Sequence, residues 1–322
     1  MQTDSQRLSS PFIPNPSSFS PWPHRLALVL AWATFPLLFI GGLVTSLGVG
    51  LAVPDWPTTF GYPMFLYPWS QMIGGIFYEH SHRLVASFVG LTTIALAVTF
   101  WLKERRRWLC WLGTAALGLV ILQGILGGLR VVLLEQTLAI VHACLAQAFF
   151  ALTVSLVLFT SSEWRHGLAR GAINDGGRLR RVAVITTVLI YFQIIFGAIL
   201  RHTGERLDGH LFFAALVAVH VILLLLRVTR FHGANAQLHR PAVFLGALLL
   251  LQFLLGAGAY FAKFAPLFPL PMGAVVLVTT THLITGALML VTSLALSLKA
   301  YRAAEAAPSA LETKGLSEQY SV

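Results

Sequence analysis

The sequence predicts an all-α integral membrane protein of eight transmembrane helices, set as two pseudo-symmetric four-helix bundles with both termini cytoplasmic. Three observations lead there. Hydrophobic residues fill 57% of the 322 positions and charged residues only 11%, with a mean hydropathy of +0.76. A soluble domain carries roughly a quarter charged residues. Several apolar runs reach the ~20 residues that one bilayer crossing needs. None shows the short alternating strands of a membrane barrel. Backbone groups in lipid must find partners within their own segment, so the runs are helices.

The elements follow in order. Residues 1–24 are polar and rich in Pro and Ser, which predicts a disordered cytoplasmic lead. This stretch lacks the basic region and cleavage site of a removable signal peptide. Spans are expected at 26–48, 82–102, 109–130 and 138–160, making an N-terminal half over 25–161. A basic cytoplasmic linker covers 162–181. Further spans at 182–201, 209–227, 242–262 and 276–298 make a C-terminal half over 182–299. The Ala/Ser/Glu-rich tail, 300–322, is expected to be disordered and cytoplasmic.

A net charge of +10 and a pI near 10.2 raise the question of nucleic acid. In a membrane protein, surplus Lys and Arg instead marks cytoplasmic loops, so the partner is the lipid bilayer and no nucleic acid is expected. With the N-terminus inside, only Arg83, Arg130, Arg201, Arg206 and Lys263 of the 22 basic residues fall on the outer side. Two cysteines cannot staple a chain this size. Cys110 and Cys144 sit near opposite ends of their spans, too far apart for the roughly 4.4–6.8 Å Cα separation of a disulfide.

A repeat is visible in the odd spans. Gln-x-x-x-Gly occurs at Gln123/Gly127, Gln193/Gly197 and Gln252/Gly256. The first and last copies lie four spans apart, which predicts a parallel repeat about an axis along the membrane normal. Small residues beside one polar residue are also an ordinary packing device in membrane helices.

Histidines within spans are costly and therefore mark function. His24, His166, His232 and His239 lie among inner-loop polar residues and read as solvated. His82, His142, His210 and His282 each open an inward-running span, with apolar residues continuing to Phe100, Thr160, Leu226 and Leu298. They come one from each even-numbered span and share one depth near the outer face. Imidazoles on facing helices at equal depth can ligate a heme iron from both sides, in a site built between helices of a bundle. Zinc would ask for clustered carboxylates or thiolates, which are missing here. The plainer alternative is four separate histidines bridging helices. His220 rivals His210, but it lies deeper and ten residues on, about 280° around the helix, so both cannot face one heme. His202 reads as part of an outer loop.

The sharpest local motif is Glu79-His80-Ser81-His82-Arg83. Glu79 shares a helix face with His82 at i,i+3 and can pair with Arg83 at i,i+4. A carboxylate beside a heme ligand suits proton transfer; an ion pair at the mouth of the helix is the structural alternative. Arg83, Arg130, Arg201 and Arg206 could meet heme propionates as fork-shaped donors, or simply snorkel.

Taken with Gly50-Leu-Ala-Val-Pro-Asp-Trp-Pro57 in the first outer loop, Gln123-Gly-Ile-Leu-Gly-Gly128, and His282-Leu-x-x-Gly-Ala287, these residues resemble the heme A synthase family over about 26–298. The resemblance implies a membrane oxidoreductase that converts the C8 methyl of heme O, through hydroxylated intermediates, to the formyl of heme A for terminal oxidases. It assigns heme b as cofactor to His210 and His282, and the substrate heme to His82, His142 and Arg83. Glu79 matches the family's essential carboxylate, with a role in proton handling. Partners implied are heme O, heme O synthase and cytochrome oxidase assembly factors in a bacterial-type plasma membrane; a homo-oligomer is left open. Two departures stand out. Val53 and Thr59 occupy the places where many bacterial members carry loop cysteines. The loop Arg201–Gly209 is short where the first outer loop is long, so the halves have diverged.

Two other classes share some of these features. A diheme b-type carrier of electrons from quinol would use the four histidines without Glu79 or the Pro-Asp-Trp-Pro loop. A heme transporter would call for broken helices near the midplane. The charge distribution makes the first prediction: a tag appended after Val322 stays unlabelled by an impermeant reagent on intact cells and becomes labelled once they are opened. Labelling on intact cells reverses the topology.

Overall fold

The computed structural model describes residues 20–166, 176–264 and 270–305. The expected lead, much of the linker and most of the tail fall on residues 1–19, 167–175 and 306–322, outside the described residues. In chain order come α1 (Trp22–Ser46), α2 (Gly74–Lys103), α3 (Arg107–Val132), α4 (Gln136–Thr160), a short α5 (Ser162–His166), α6 (Gly176–Thr203), α7 (Leu207–His232), α8 (Ala236–Lys263) and α9 (Met272–Glu305). The eight long helices are long and apolar enough to cross a membrane. The shortest, with 25 residues, measures about 37 Å at 1.5 Å per residue, more than the ~30 Å hydrocarbon core. Among the described residues no strand forms; Thr59 and Tyr62 make an isolated bridge.

Each expected span falls on one of these helices, the first overrunning the end of α1 by two residues, and several helices run further than hydropathy indicates. α2 starts at Gly74, so Glu79 to Arg83 sit inside a formed helix rather than at its entrance. α9 continues to Glu305. Local chemistry explains several ends. Pro23 occupies the first turn of α1, where its missing N–H costs nothing. Asn235 caps α8 by accepting from the Gln237 amide at 3.0 Å. Gly204, with φ at +76°, makes the tight turn between α6 and α7.

Helices α1 to α4 pack as a closed group, α1 on α2 and α4, and α3 on α2 and α4. Helices α6 to α9 do the same, α6 on α7 and α9, and α8 on α7 and α9. The two groups meet where α1 and α4 touch α9 and α4 touches α6. Large apolar side chains such as Trp32, Leu91, Leu250 and Leu254 remain exposed on the outside, as a lipid-facing surface requires.

Polar stitches close the seam at both ends. Arg201 in α6 donates to Gly42 O at 2.7 Å, Ser46 Oγ at 2.5 Å and Thr279 O at 3.2 Å, joining α1, α6 and α9. At the opposite end Lys299 pairs with Glu163 at 2.9 Å, and the Arg302 guanidinium lies over Trp164. Within the second group, Thr187 of α6 bonds Ser293 and Ser297 of α9 at 2.8 and 3.0 Å.

Gly113 is where α3 presses on the fully buried ring of Phe100. A Cβ there would stand 2.5 Å from the ring, with no room to give. Gly113→Val is expected to destabilise the first group by about 1–3 kcal/mol through overpacking, seen as a lower midpoint on heating in detergent. An unchanged midpoint would show that Phe100 can move aside.

Candidate functional site

Four imidazoles meet four glycines in the same way. His82, His142, His210 and His282 each lie against a glycine of the preceding long helix. A Cβ on Gly41 would stand 3.1 Å from the His82 ring; on Gly127, Gly197 or Gly256 it would stand 3.2 Å from His142, His210 or His282. One turn before these glycines stand Leu37, Gln123, Gln193 and Gln252. Positions i and i+4 share one helix face, and the bare glycine leaves room on it for the ring. The Gln-x-x-x-Gly repeat is therefore the seat of an imidazole. Helix α1 carries a fourth copy, Leu37/Gly41, with the glutamine replaced.

The His210 and His282 rings face each other with centroids 6.3 Å apart and planes 66° apart. His220 instead bonds the Leu216 carbonyl of its own helix at 2.9 Å. His82 and His142 occupy the equivalent seats on Gly41 and Gly127 in the first group. In all four, Nδ1 is buried and unpartnered. A buried ring nitrogen with no protein partner is available to a metal. Two bonds of about 2 Å to imidazole nitrogens, plus the rings' own extent, give a centroid separation near 6 Å, so the His210–His282 pair fits a single metal between the rings. A donor set of two neutral imidazoles suits an iron whose other positions belong to a macrocycle.

The pairs differ in side-chain support. Gln193 Nε2 lies 3.3 Å from His210 Nε2, and Gln252 Nε2 lies 3.4 Å from His282 Nε2. In the first group, Gln123 Nε2 donates to the His142 carbonyl at 3.2 Å rather than to its ring.

Glu79 and Arg83 form a buried pair at 2.8 Å, their side chains only 3% and 10% exposed. The second Glu79 oxygen accepts from the Val53 amide at 3.0 Å. Arg83 donates also to the carbonyls of Asp55 at 2.7 Å, Val53 at 2.9 Å and Thr58 at 3.0 Å. The pair thus grips the loop after α1 along its main chain. His80 Nδ1 meets Thr59 Oγ1 at 3.1 Å beneath the Tyr67 ring. The Trp56 ring lies flat on Gly128, where a Cβ would come within 2.3 Å, next to the glycine that seats His142.

Arg130 donates to the Gly50 carbonyl at 3.3 Å, bringing a second cation to the same loop. Arg206 is exposed with a left-handed backbone at the start of α7. His202 accepts at its carbonyl from Gln136, joining α6 to α4, and its charge reaches His142. Cys110 and Cys144 are both free and buried. Sequence reasoning missed the Val53 amide, the His80–Thr59 bond, the seat of Trp56 and the Leu37/Gly41 copy. Only the last had a sequence signal, a glycine at matched depth in the first span.

Comparison with known proteins adds a family. A family model described as cytochrome oxidase assembly protein matches residues 24–209. A heme A synthase of Shouchella clausii (strain KSM-K16) is 28% identical over 200 residues, 57% of this chain and 60% of that protein. One from Alkalihalophilus pseudofirmus (strain ATCC BAA-2126 / JCM 17055 / OF4) is 30% identical over 175 residues, 53% of this chain and 57% of that protein. The chain thus spans about three fifths of the length of the curated relatives it matches.

The loop carries its own acid sensitivity. Burial alone would raise the Asp55 carboxyl, but the Gly61 amide, Thr58 hydroxyl and Phe60 amide hold it below the usual carboxylate range. The depressed value makes the loop's support complete above the ordinary carboxylate pKa and lost as pH falls through the lowered one. Proteolytic nicking between Pro54 and Gly61 is expected to rise on strong acidification. Asp55→Asn should be nicked readily at every pH, and a variant as protected as the parent would remove Asp55 from the loop's support.

Proposed function

The chain belongs to the cytochrome oxidase assembly protein family, and from that premise we propose that it is a heme A synthase, oxidising the C8 methyl of heme O to a formyl group. The observation that carries this reading is the pairing of a Glu79–Arg83 clamp on the Pro54–Pro57 loop with two separate imidazole pairs. An electron carrier would have use for the imidazoles alone.

His210 and His282 hold the cofactor, a b-type heme, which when bound supplies one-electron transfer. Their unpartnered Nδ1 atoms and facing rings support that assignment. His82 and His142 hold the iron of the substrate, and Arg83 keeps the loop over it. Trp56, seated on Gly128 beside the His142 seat, forms one wall of that site. Glu79 is the titratable group nearest this site on the His82 helix face. It takes up the proton released as the methyl is oxidised, its charge balanced by Arg83 at 2.8 Å. The loop end faces outward, on the strength of the basic residues gathered at the other end. Heme O synthase and oxidase assembly factors are the partners this chemistry calls for, one supplying the substrate and the others receiving the product.

Glu79→Gln tests the assignment. The amide keeps the size and the capacity to accept from Val53 but loses charge and proton. Heme extracts from cells expressing the variant are expected to lose nearly all heme A and accumulate heme O or a hydroxylated form, while the b-type spectrum persists. His210→Leu or His282→Leu should do the reverse and remove that spectrum. Parental heme A in the Glu79 variant would take the carboxylate out of the reaction.

A further inference from the structure

The loop after α1 has a polar root and an apolar brim. Arg83 and Glu79 hold the root at Val53, Asp55 and Thr58. From Trp56 to Tyr78 no residue carries a charge. This stretch includes two single-turn helices, Met64–Leu66 and Trp69–Gln71. On them Phe65, Leu66 and Trp69 stand 66%, 71% and 77% exposed among the described residues. Contiguous apolar surface of this kind marks contact with a membrane or with another protein.

Three observations favour lipid. Ile73, at the start of α2, falls within about 60° of Phe77, Phe88 and Leu91 around that helix. All four are exposed, so the end of the loop extends the helix face that meets the bilayer. Depth agrees. The apolar run of α2 from His82 to Phe100 measures about 27 Å, close to the ~30 Å hydrocarbon thickness, so His82 stands near its edge. The Tyr67 ring packs on His80 with centroids 5.2 Å apart, and His80 lies about 3 Å nearer the loop along the helix axis. That level belongs to the interfacial layer, ~5–7 Å on each side, where Trp and Tyr are favoured. Finally, a docking face for another protein carries a polar rim, and residues 56–78 offer no charge to build one.

We propose that Phe65, Leu66 and Trp69 are seated in the bilayer interface, so that phospholipid is the partner of this loop. The loop that lays Trp56 on Gly128 is then held twice, by Arg83 along its root and by lipid along its brim.

The full chain in phosphatidylcholine nanodiscs tests this. Leu66→Cys or Trp69→Cys is labelled with an environment-sensitive fluorophore, and the parent, whose Cys110 and Cys144 are buried, serves as the blank. Glu205→Cys, in the exposed turn between α6 and α7, is the aqueous reference. Emission from both brim sites is expected well to the blue of that reference. Lipid spin-labelled just below the headgroup should quench them several-fold more than it quenches the reference. Emission equal to the reference at both sites would overturn the proposal. Blue emission that spin-labelled lipid leaves unquenched would overturn it as well, since protein would then cover the brim. Either brim site decides alone if the other variant fails to fold.

Discussion

Close approach of an imidazole to bare helix backbone, made four times, is the constraint on which the arrangement depends. At each seat a Cβ on the glycine would stand only 3.1–3.2 Å from the ring, so the spacing of each helix pair depends on the absence of a side chain. Nδ1 of each ring is buried without a partner. A buried polar atom in that condition costs free energy unless something bonds it.

The loop after α1 is governed by a different economy. Arg83 gives its guanidinium to three carbonyls and one carboxylate, and Glu79 gives its other oxygen to an amide. Burying such a pair contributes little net stability, but removing one partner strands the other charge and is costly, about 3–5 kcal/mol. The pair consequently defines a shape more than it strengthens the fold. It places Trp56 on Gly128, and Gly128 adjoins Gly127, the seat of His142. Helix α2 thus delivers His82 to its seat and holds the covering loop within a single turn.

Much of this was legible in the sequence because lipid makes hydropathy decisive. All eight long helices could be read from composition and run length, and the four histidines from their matched distance to the inner end of a span. The glutamine–glycine repeat was visible, but what the glycine receives was not, since the imidazole comes from another helix. The grip of Arg83 was hidden for a related reason: carbonyls of Val53, Asp55 and Thr58 accept from it, and a carbonyl has no residue identity to read. Leu37 was the hardest to see. It stands where the other three copies carry a glutamine, which shows only once the copies are aligned by their seats. The Glu79–Arg83 pair read as an ion pair at a helix mouth; the structure buries it, because α2 begins two turns earlier than hydropathy suggests.

The seam between the two helical groups is fastened at both ends, by Arg201 across α1, α6 and α9 and by Glu163 with Lys299 at the other. A joint pinned at two ends resists both rocking and sliding. The separation between the two imidazole pairs then behaves as a fixed dimension of the molecule, set by α1, α4, α6 and α9 rather than by anything bound.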